Sequence, residues 1–192
     1  MQALILSAGM GKRLGKYTKD ATKCMVEVNG KTLIEHSLDA LFGAGIGKVV
    51  IVVGYKGDRL RSFLDSKYPG KPISYVENPV YDKTNNIYSL WLARKELASD
   101  DTLLLESDLI FEPKIIAELL DSPDPNLAVV SKFESWMDGT VTVLGKKDEV
   151  LSVVDKAHFK WGDVEDYYKT VNIYKFSKDF SEKHYLPFME AY

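Results

Sequence analysis

An apolar segment at the start of the chain runs directly into a glycine-rich turn, and this junction constrains the fold more than any other feature. The segment Met1–Leu6 has the composition of a buried strand, and the turn after it contains Gly9 and Gly11 with the cations Lys12 and Arg13. Glycines let main-chain N–H groups approach an anion without a Cβ atom in the way, and the two side chains add positive charge. The junction therefore predicts a phosphate-binding turn directly after the first strand.

Two common phosphate-binding patterns do not fit this turn. The dinucleotide pattern has a third glycine three residues after the second, and Leu14 occupies that position. The Walker loop ends in Gly-Lys-Ser/Thr, whereas Arg13 follows Gly11 and Lys12 here. On spacing alone, a plain strand-to-helix turn with solvated basic residues stays open.

Composition limits the classes of protein to consider. The 192 residues, 45% of them hydrophobic, suffice for one well-buried α/β domain and include no apolar run long enough for a membrane span. With 25 basic and 28 acidic residues the net charge is −3, so we expect neither nucleic acid nor a membrane as partner. A single cysteine, Cys24, and no recognisable secretion signal predict a cytoplasmic protein. His36, His158 and His184 lack the spacing of zinc ligands.

Short β-branched runs alternate with longer amphipathic segments, which predicts an α/β fold with a mainly parallel, Rossmann-like sheet between helical layers. The predicted strands are 2–6, 49–53, 73–76, 103–105, 127–131 and 170–176, with a hairpin of 140–144 and 150–154 in a small β subregion. The predicted helices are 33–44, 60–64, 87–97, 113–120 and 180–192. We treat 1–192 as one domain and expect it to be truncated at its C-terminal end, because the last predicted helix reaches the final residue without a cap.

Several stretches carry a resemblance to a known family. The run LSAGMGKRL followed by TKCMVEVNGKTLIEH resembles the N-terminal signature of the MobA-like nucleotidyltransferases, which activate sugar phosphates and small phosphorylated alcohols. The later stretches NNIYSL, LLLESD and ESWMDG resemble the branch that includes phosphocholine and 2-aminoethylphosphonate cytidylyltransferases, some of them fused to an aminotransferase domain. The resemblance implies the nucleotide-diphospho-sugar transferase fold, with a small β acceptor-binding subregion. It also implies transfer of CMP from CTP to a small phosphorylated or phosphonate alcohol or amine, with release of pyrophosphate and Mg²⁺ as cofactor. A following aminotransferase domain and a homodimer stay open.

The implied reaction calls for cations rather than a general base, because a phosphate monoester with a second pKa of about 6 is already ionised at neutral pH. From the family pattern we expect Arg13 to bind the β- and γ-phosphates, and Lys23 to bridge the α-phosphate and the attacking oxygen. Asp108, just past a predicted buried strand, matches the family's metal-binding position. Glu106 shares its face if the strand continues, but only Asp108 matches. The family's second metal-binding aspartate lies nearer the C-terminus than any residue of this chain.

The nucleotide is expected to contact the glycine-rich turn and, on an opposite wall, Asn85 and Asn86, whose amides can both donate to and accept from cytosine. The predicted nucleotide-binding set is Leu6, Ala8, Gly9, Met10, Gly11, Lys12, Asn85, Asn86 and Ser107. The predicted acceptor-binding set is Tyr88, Ser89, Trp136, Asp138 and Tyr174, since an aromatic face beside a carboxylate suits an ammonium group. Trp161 and Tyr168 lie in the same region, and Trp136 is preferred because its surroundings match the family. A helix cap at Asn85 and core packing of the aromatic residues stay open, and Cys24 is expected to pack rather than react.

Two other functions remain open from the sequence. One is a sugar-1-phosphate nucleotidylyltransferase that uses UTP or dTTP, which the NNIYSL stretch disfavours. The other is a nucleotide-binding regulatory domain without catalysis, which gains weight if no second carboxylate reaches the metal. A dehydrogenase is a more distant alternative.

Overall fold

The computed structural model describes residues 1–11, 14–15 and 18–191. Its contacts divide the chain into one unit of residues 1–127 with the chain from Lys175 onward, and a second unit of Ala128–Tyr174. Lys12 and Arg13 lie outside the described residues, so their predicted roles stay predictions, as does the single domain over 1–192.

Strands and helices alternate through the first unit as the sequence predicts. The strands are β1 (Gln2–Ser7), β2 (Glu27–Val28), β3 (Lys31–Thr32), β4 (Val49–Val53), β5 (Ile73–Glu77), β6 (Thr102–Glu106), β7 (Leu127–Lys132), β8 (Val141–Leu144), β9 (Val150–Val154) and β10 (Tyr167–Phe176). The helices are α1 (Leu33–Gly43), α2 (Gly57–Lys67), α3 (Asn86–Leu92), α4 (Arg94–Leu97), α5 (Lys114–Asp121), α6 (Lys178–Phe180) and α7 (Leu186–Ala191).

A parallel sheet with the order β5-β4-β1-β6 forms the centre of the first unit. All five residues of β4 are buried, as an apolar run covered on both faces should be. Helix α1 contributes Ile34, Leu38 and Leu41 to the core, each fully buried. A capping box fixes its first turn: the Thr32 N–H donates to Glu35 Oε2 at 2.9 Å, and the Glu35 N–H donates to Thr32 Oγ1 at 3.3 Å.

The strand register brings the carboxyl ends of three strands to one edge. Leu6 of β1 pairs with Val52 of β4 on one side and with Glu106 of β6 on the other. The chain first moves from β1 outward to β4 and β5, and then returns to the opposite side of β1 as β6. Such a change of direction leaves a crevice at the carboxyl edge, which is where open α/β sheets bind ligands.

In the second unit, β8 pairs antiparallel with β9 and with β10, which confirms the predicted hairpin. Four aromatic rings pack beside these strands. Phe159 lies 5.2 Å from Phe133, 5.2 Å from Trp161 and 5.1 Å from Tyr167, measured between ring centroids. Tyr167 is the buried member of this cluster, whereas Trp161 is 65% exposed.

Two predicted helices are interrupted. The predicted helix 87–97 divides into α3 and α4 because the Ala93 N–H donates to Leu90 O, a step of three residues instead of four. The predicted helix 180–192 consists of α6, a π-helical turn at Ser181–Tyr185, and α7. Pro187 follows that turn, has no N–H group and cannot continue the α-helical hydrogen bonds. In the described residues, no helix is long and apolar enough to cross a membrane.

Candidate active site

A cavity of about 290 Å³, which we call the central cavity, lies at the carboxyl edge of the parallel sheet, where β1 and β6 end. Its lining residues come from the glycine-rich turn, the loop after it, the first turn of α3 and the end of β6. They are Leu6, Gly9, Gly11, Lys23, Asn86, Glu106, Ser107 and Asp108. All of them except Glu106 belong to the predicted nucleotide, catalytic and metal sets. The structure therefore brings residues from four separate segments into one crevice.

The glycine-rich turn depends on Gly11 for its shape. Gly11 has φ +61°, and a Cβ atom there would lie 3.0 Å from Lys23 Cβ and 3.1 Å from Thr18 Cγ2. The buried hydroxyl of Thr18 donates to Gly11 O at 3.1 Å and closes the turn. Gly9 does not have a positive φ, and a Cβ atom on it would meet nothing within 4 Å. A side chain at position 11 would therefore displace Lys23, whereas the space at Gly9 is open toward the cavity.

Main-chain carbonyl groups of β1 and the turn already have partners in the protein. Leu6 O accepts from the Ser107 N–H at 3.2 Å, and Ala8 O accepts from the Tyr55 N–H at 3.0 Å. The first contact holds the ends of β1 and β6 together, and the second joins the turn to the segment that follows β4. Met10 is half-buried and lies outside the cavity lining. The part that these groups play in nucleotide binding stays a prediction.

Lys23 and Asp108 form an ion pair across the cavity. Their side chains are 31% and 20% exposed, so both are shielded from solvent and still accessible to a ligand. Lys23 begins a short helical turn, and the next residue, Cys24, is fully buried with its Sγ 3.2 Å from Ser7 Oγ. This packing anchors the lysine backbone against β1. Lys23 and Asp108 are 85 positions apart in the sequence, and the fold places their opposite charges together.

The thiol of Cys24 is fully buried between two hydroxyl groups. Its Sγ lies 3.0 Å from Thr22 Oγ1, and burial raises the pKa of the thiol above its usual value. A buried neutral thiol is a poor nucleophile, because the thiolate is the reactive form. The expectation that Cys24 packs is confirmed.

Asn85 and Asn86 face different surroundings. The Asn85 side chain accepts from the Tyr88 N–H at 3.2 Å and caps α3, and the residue lines a different cavity of about 590 Å³. The Asn86 side chain lines the cavity that contains Lys23, and its Nδ2 donates to Glu106 Oε1 at 2.9 Å. The two asparagines therefore do not form one wall of the nucleotide site as predicted. Asn86 lines the central cavity, and Asn85 caps α3.

Asn78 organises the loop that leads to α3, and sequence reasoning missed it. The residue is 1% exposed, and its Nδ2 donates to Thr84 Oγ1 at 3.1 Å and to Ser89 Oγ at 3.0 Å. Its Oδ1 accepts from the Val80 N–H at 3.0 Å. The side chain thus fixes both ends of the segment before Asn86. A polar residue in a polar segment gave no sequence signal for this role.

Replacing Asn78 with alanine should lower the free energy of unfolding by about 2–4 kcal/mol, because the three hydrogen bonds of a buried side chain are lost at once. Urea denaturation followed by circular dichroism measures the change. Ser37→Ala is the matched control: Ser37 is also fully buried, but its Oγ has no partner among the described residues, so its loss should cost little. Equal effects of the two substitutions would contradict the assigned role of Asn78.

The predicted acceptor residues of the first unit do not share one surface. Tyr88 is 38% exposed and lines the same cavity as Asn85, together with Trp91 and Met189. Ser89 is buried, and its hydroxyl accepts from Asn78. Ser89 lies outside the linings of both cavities, so its geometry is that of a structural residue.

In the second unit a cavity of about 210 Å³ is lined by Phe133, Met137, Asp138, Gly139, Lys156, Phe159 and Trp161. Asp138 pairs with Lys156 at 3.2 Å. The preferred Trp136 is not part of this lining: it is 75% exposed, and its Nε1 donates to Glu134. Trp161, the less favoured candidate of the sequence analysis, does line this cavity.

Two further aromatic candidates lie elsewhere in the second unit. The hydroxyl of Tyr174 donates to Asn172 Oδ1 at 3.3 Å, and the Lys132 ammonium lies 4.7 Å from the ring centre of Tyr168. Neither residue lines the cavity of the second unit. Of the predicted acceptor set, the structure therefore brings only Asp138 into this cavity.

The acidic residues of the central cavity suit a divalent cation. Glu106 and Asp108 both line it, and Mg²⁺ in proteins uses one or two carboxylates while substrate phosphates complete its coordination. No group of three or more acidic, histidine or cysteine side chains suitable for a metal occurs in the part of the chain that the structure describes. A metal held here would therefore depend on oxygen atoms from a ligand.

A crevice of this kind, with a cation, carboxylates and a glycine-rich turn at the switch point of a parallel sheet, defines an α/β domain for phosphate-bearing nucleotides. Comparison with known proteins gives the particular family. The chain belongs to the family described as the MobA-like NTP transferase domain, whose model matches residues 3–161. The predicted family and fold class are confirmed, and the family is one of nucleotidyltransferases.

Individual relatives agree with this assignment. The chain is 34% identical over 192 residues to CMP-5'-(3-aminopropyl)phosphonate synthase of Streptomyces rubellomurinus, covering 99% of this chain and 30% of that protein. It is 28% identical over 194 residues to CTP:phosphoglutamine cytidylyltransferase of Campylobacter jejuni, covering 94% and 74%. The solved inositol-1-phosphate CTP transferase from T. maritima matches with a TM-score of 0.75 at 24% identity, and the match covers 96% of this chain and 74% of that one. That structural likeness concerns the fold alone.

Proposed function

We propose that this domain transfers a cytidylyl group from CTP to a small acceptor that carries a phosphate or phosphonate. An anionic oxygen of the acceptor attacks the α-phosphorus, a new P–O bond forms, and the bond to the β-phosphate breaks to release pyrophosphate. The names of both relatives include CMP or CTP, and this supports the choice of nucleotide. Since the chain spans 30% of the length of the Streptomyces protein, the activity of the whole protein is part of the proposal.

The ion pair of Lys23 and Asp108 in the central cavity is the observation that carries the proposal. Transfer between two polyanions needs positive charge at the reacting phosphate more than it needs a base. A lysine that a carboxylate already holds in the cavity keeps that charge in position before the nucleotide arrives. Lys23 is therefore assigned to the α-phosphate and the attacking oxygen, and the Gly11 turn to the phosphates beside it.

Nucleotidyltransferases of this family use a divalent metal, and we assign Mg²⁺ to this domain. Asp108 would hold the ion, and Glu106 lies in the same cavity. When bound, Mg²⁺ would offset negative charge on the phosphate oxygens. The chain's own residues bind and orient the reactants: Lys23 keeps its charge at the reacting phosphate, and Asp108 keeps Lys23 in place.

The acceptor is assigned to a small zwitterionic phosphate or phosphonate, with phosphocholine and 2-aminoethylphosphonate as the leading candidates. Names of relatives that contain aminopropylphosphonate and phosphoglutamine support an acceptor with both nitrogen and phosphorus. The roles of Arg13 on the β- and γ-phosphates and of Trp136 and Tyr174 on the acceptor stay predictions. So do the cytoplasmic location, the homodimer and a following aminotransferase domain.

The proposal is tested by incubating the full chain with CTP, Mg²⁺ and a panel of phosphorylated amines, aminoalkylphosphonates and sugar 1-phosphates. Product masses identify any CMP-linked compound, and pyrophosphate release gives the rate. We expect CTP to be consumed with an amine-bearing acceptor. Consumption of UTP or dTTP with a sugar 1-phosphate would identify a sugar nucleotidylyltransferase instead. Tight CTP binding without pyrophosphate release from any acceptor would identify a regulatory domain.

A further inference from the structure

The Asn86 amide is held in one orientation by Glu106. Asn86 Nδ2 donates to Glu106 Oε1 at 2.9 Å, and both side chains line the cavity that contains Lys23. The two ends of an asparagine amide have nearly the same shape but opposite hydrogen-bonding character, so a fixed partner decides which end a ligand meets. An ionised carboxylate only accepts hydrogen bonds, and rotating the amide by half a turn would place Oδ1 against it.

Both partners are held by regular structure. Glu106 is the last residue of β6 and pairs in register with Leu6 of β1. Asn86 is the first residue of α3, directly after the Asn85 cap, and the buried Asn78 fixes the preceding segment. Asn86 is exposed to solvent and can therefore meet a ligand. None of the hydrogen bonds within the described residues uses Asn86 Oδ1, so the acceptor end of the amide is available.

This arrangement distinguishes nucleobases. Cytosine carries an amine donor at the ring carbon where uracil and thymine carry a carbonyl acceptor. We infer that Glu106 is a specificity-determining residue that orients Asn86 so that Oδ1 accepts from the exocyclic amine of cytosine. A uracil carbonyl at the same place would face Oδ1 and be repelled. The inference rests on the proposed use of CTP and explains how the cavity would select it. Glu106 acts through Asn86 and is a positioning residue.

The test is the substitution Glu106→Gln, read as the ratio of CTP to UTP. A glutamine amide can both accept and donate, so it holds either orientation of Asn86 and frees the amide to rotate. Dissociation constants of CTP and UTP are measured by calorimetry with Mg²⁺ and no acceptor, and kcat/KM is measured where turnover occurs. The preference for CTP should fall about tenfold, the effect expected for one mismatched polar contact. Because both nucleotides carry the same triphosphate, changes in phosphate binding cancel in this ratio.

A double-mutant cycle shows whether Glu106 acts through Asn86. Asn86→Ala should lower the preference to the same extent, and adding Glu106→Gln to it should change the ratio no further. Thermal unfolding verifies that each variant is folded. If wild-type protein binds UTP as tightly as CTP, the inference and the proposed nucleotide both fail. If wild-type protein prefers CTP and Glu106→Gln keeps that preference, the inference alone is overturned. An equal loss of preference in the Asn86→Ala background would also overturn it, because Glu106 would then act without Asn86.

Discussion

Replacing Lys23 with alanine is expected to lower kcat for CMP transfer about 10³-fold while the protein stays folded, because a preorganised charge at the reacting phosphate is lost. The side chain lies in the central cavity beside Asp108, and its backbone is anchored by the buried Cys24. Alanine keeps the Cβ atom that lies beside Gly11, so the substitution should leave the packing of the turn intact. Steady-state rates of pyrophosphate release measure the loss.

The chain provides a matched control for this substitution. Lys31 also forms an ion pair, with Asp39, but it is 53% exposed and lies outside the central cavity. Lys31→Ala should keep kcat within about twofold, since an isolated exposed ion pair contributes little to stability. Lys23→Arg tests geometry, because a guanidinium keeps the charge but is larger and planar. Near-normal turnover of Lys23→Ala would remove this lysine from the mechanism.

The parallel sheet could be predicted from the sequence because its strands are short runs buried on both faces. The run Val49–Val53 is apolar throughout and is β4 without change. Strand β1 is one residue longer than predicted at its carboxyl end, and β6 is one residue longer at both ends. The interruption at Ala93 could not be predicted, because apolar spacing continues through it and a three-residue hydrogen-bonding step leaves no mark in the residue pattern. Hydrophobic periodicity reports which face is buried, not how each turn closes.

The candidate site could be predicted where a residue type has one evident chemical use. Asp108 follows a predicted buried strand and Lys23 belongs to the matched N-terminal signature, and the fold brings their charges together. Asn78 and Glu106 were missed as functional residues because their roles depend on partners brought close by the fold. Trp136 shows the opposite case: its neighbours match a family motif, yet its ring is exposed and Trp161 lines the cavity of the second unit. The direction of each side chain decides which aromatic residue lines the cavity, and the spacing of residues in the sequence does not reveal that direction.

Replacing Asp108 with asparagine should lower metal-dependent kcat at least about 10²-fold, because a neutral amide is a weak ligand for Mg²⁺. Asp108 has two assigned roles, as metal ligand and as the partner of Lys23. Titration with Mg²⁺ at saturating CTP separates them. Loss of a metal ligand raises the Mg²⁺ concentration that gives half-maximal rate, whereas loss of the lysine anchor alone lowers the rate at every Mg²⁺ concentration.

Asp39→Asn provides the control, since Asp39 is the carboxylate of the Lys31 pair and also accepts from the Tyr68 hydroxyl at 2.8 Å. That substitution removes a carboxylate from a lysine outside the central cavity, so it should leave both kcat and the Mg²⁺ midpoint unchanged. We expect Asp108→Asn to shift the midpoint upward in addition to lowering kcat. A low rate with an unchanged midpoint would mean that Asp108 only holds Lys23 in place and that another group binds the metal. Glu106 would then be the first candidate, because it lines the same cavity two residues before Asp108.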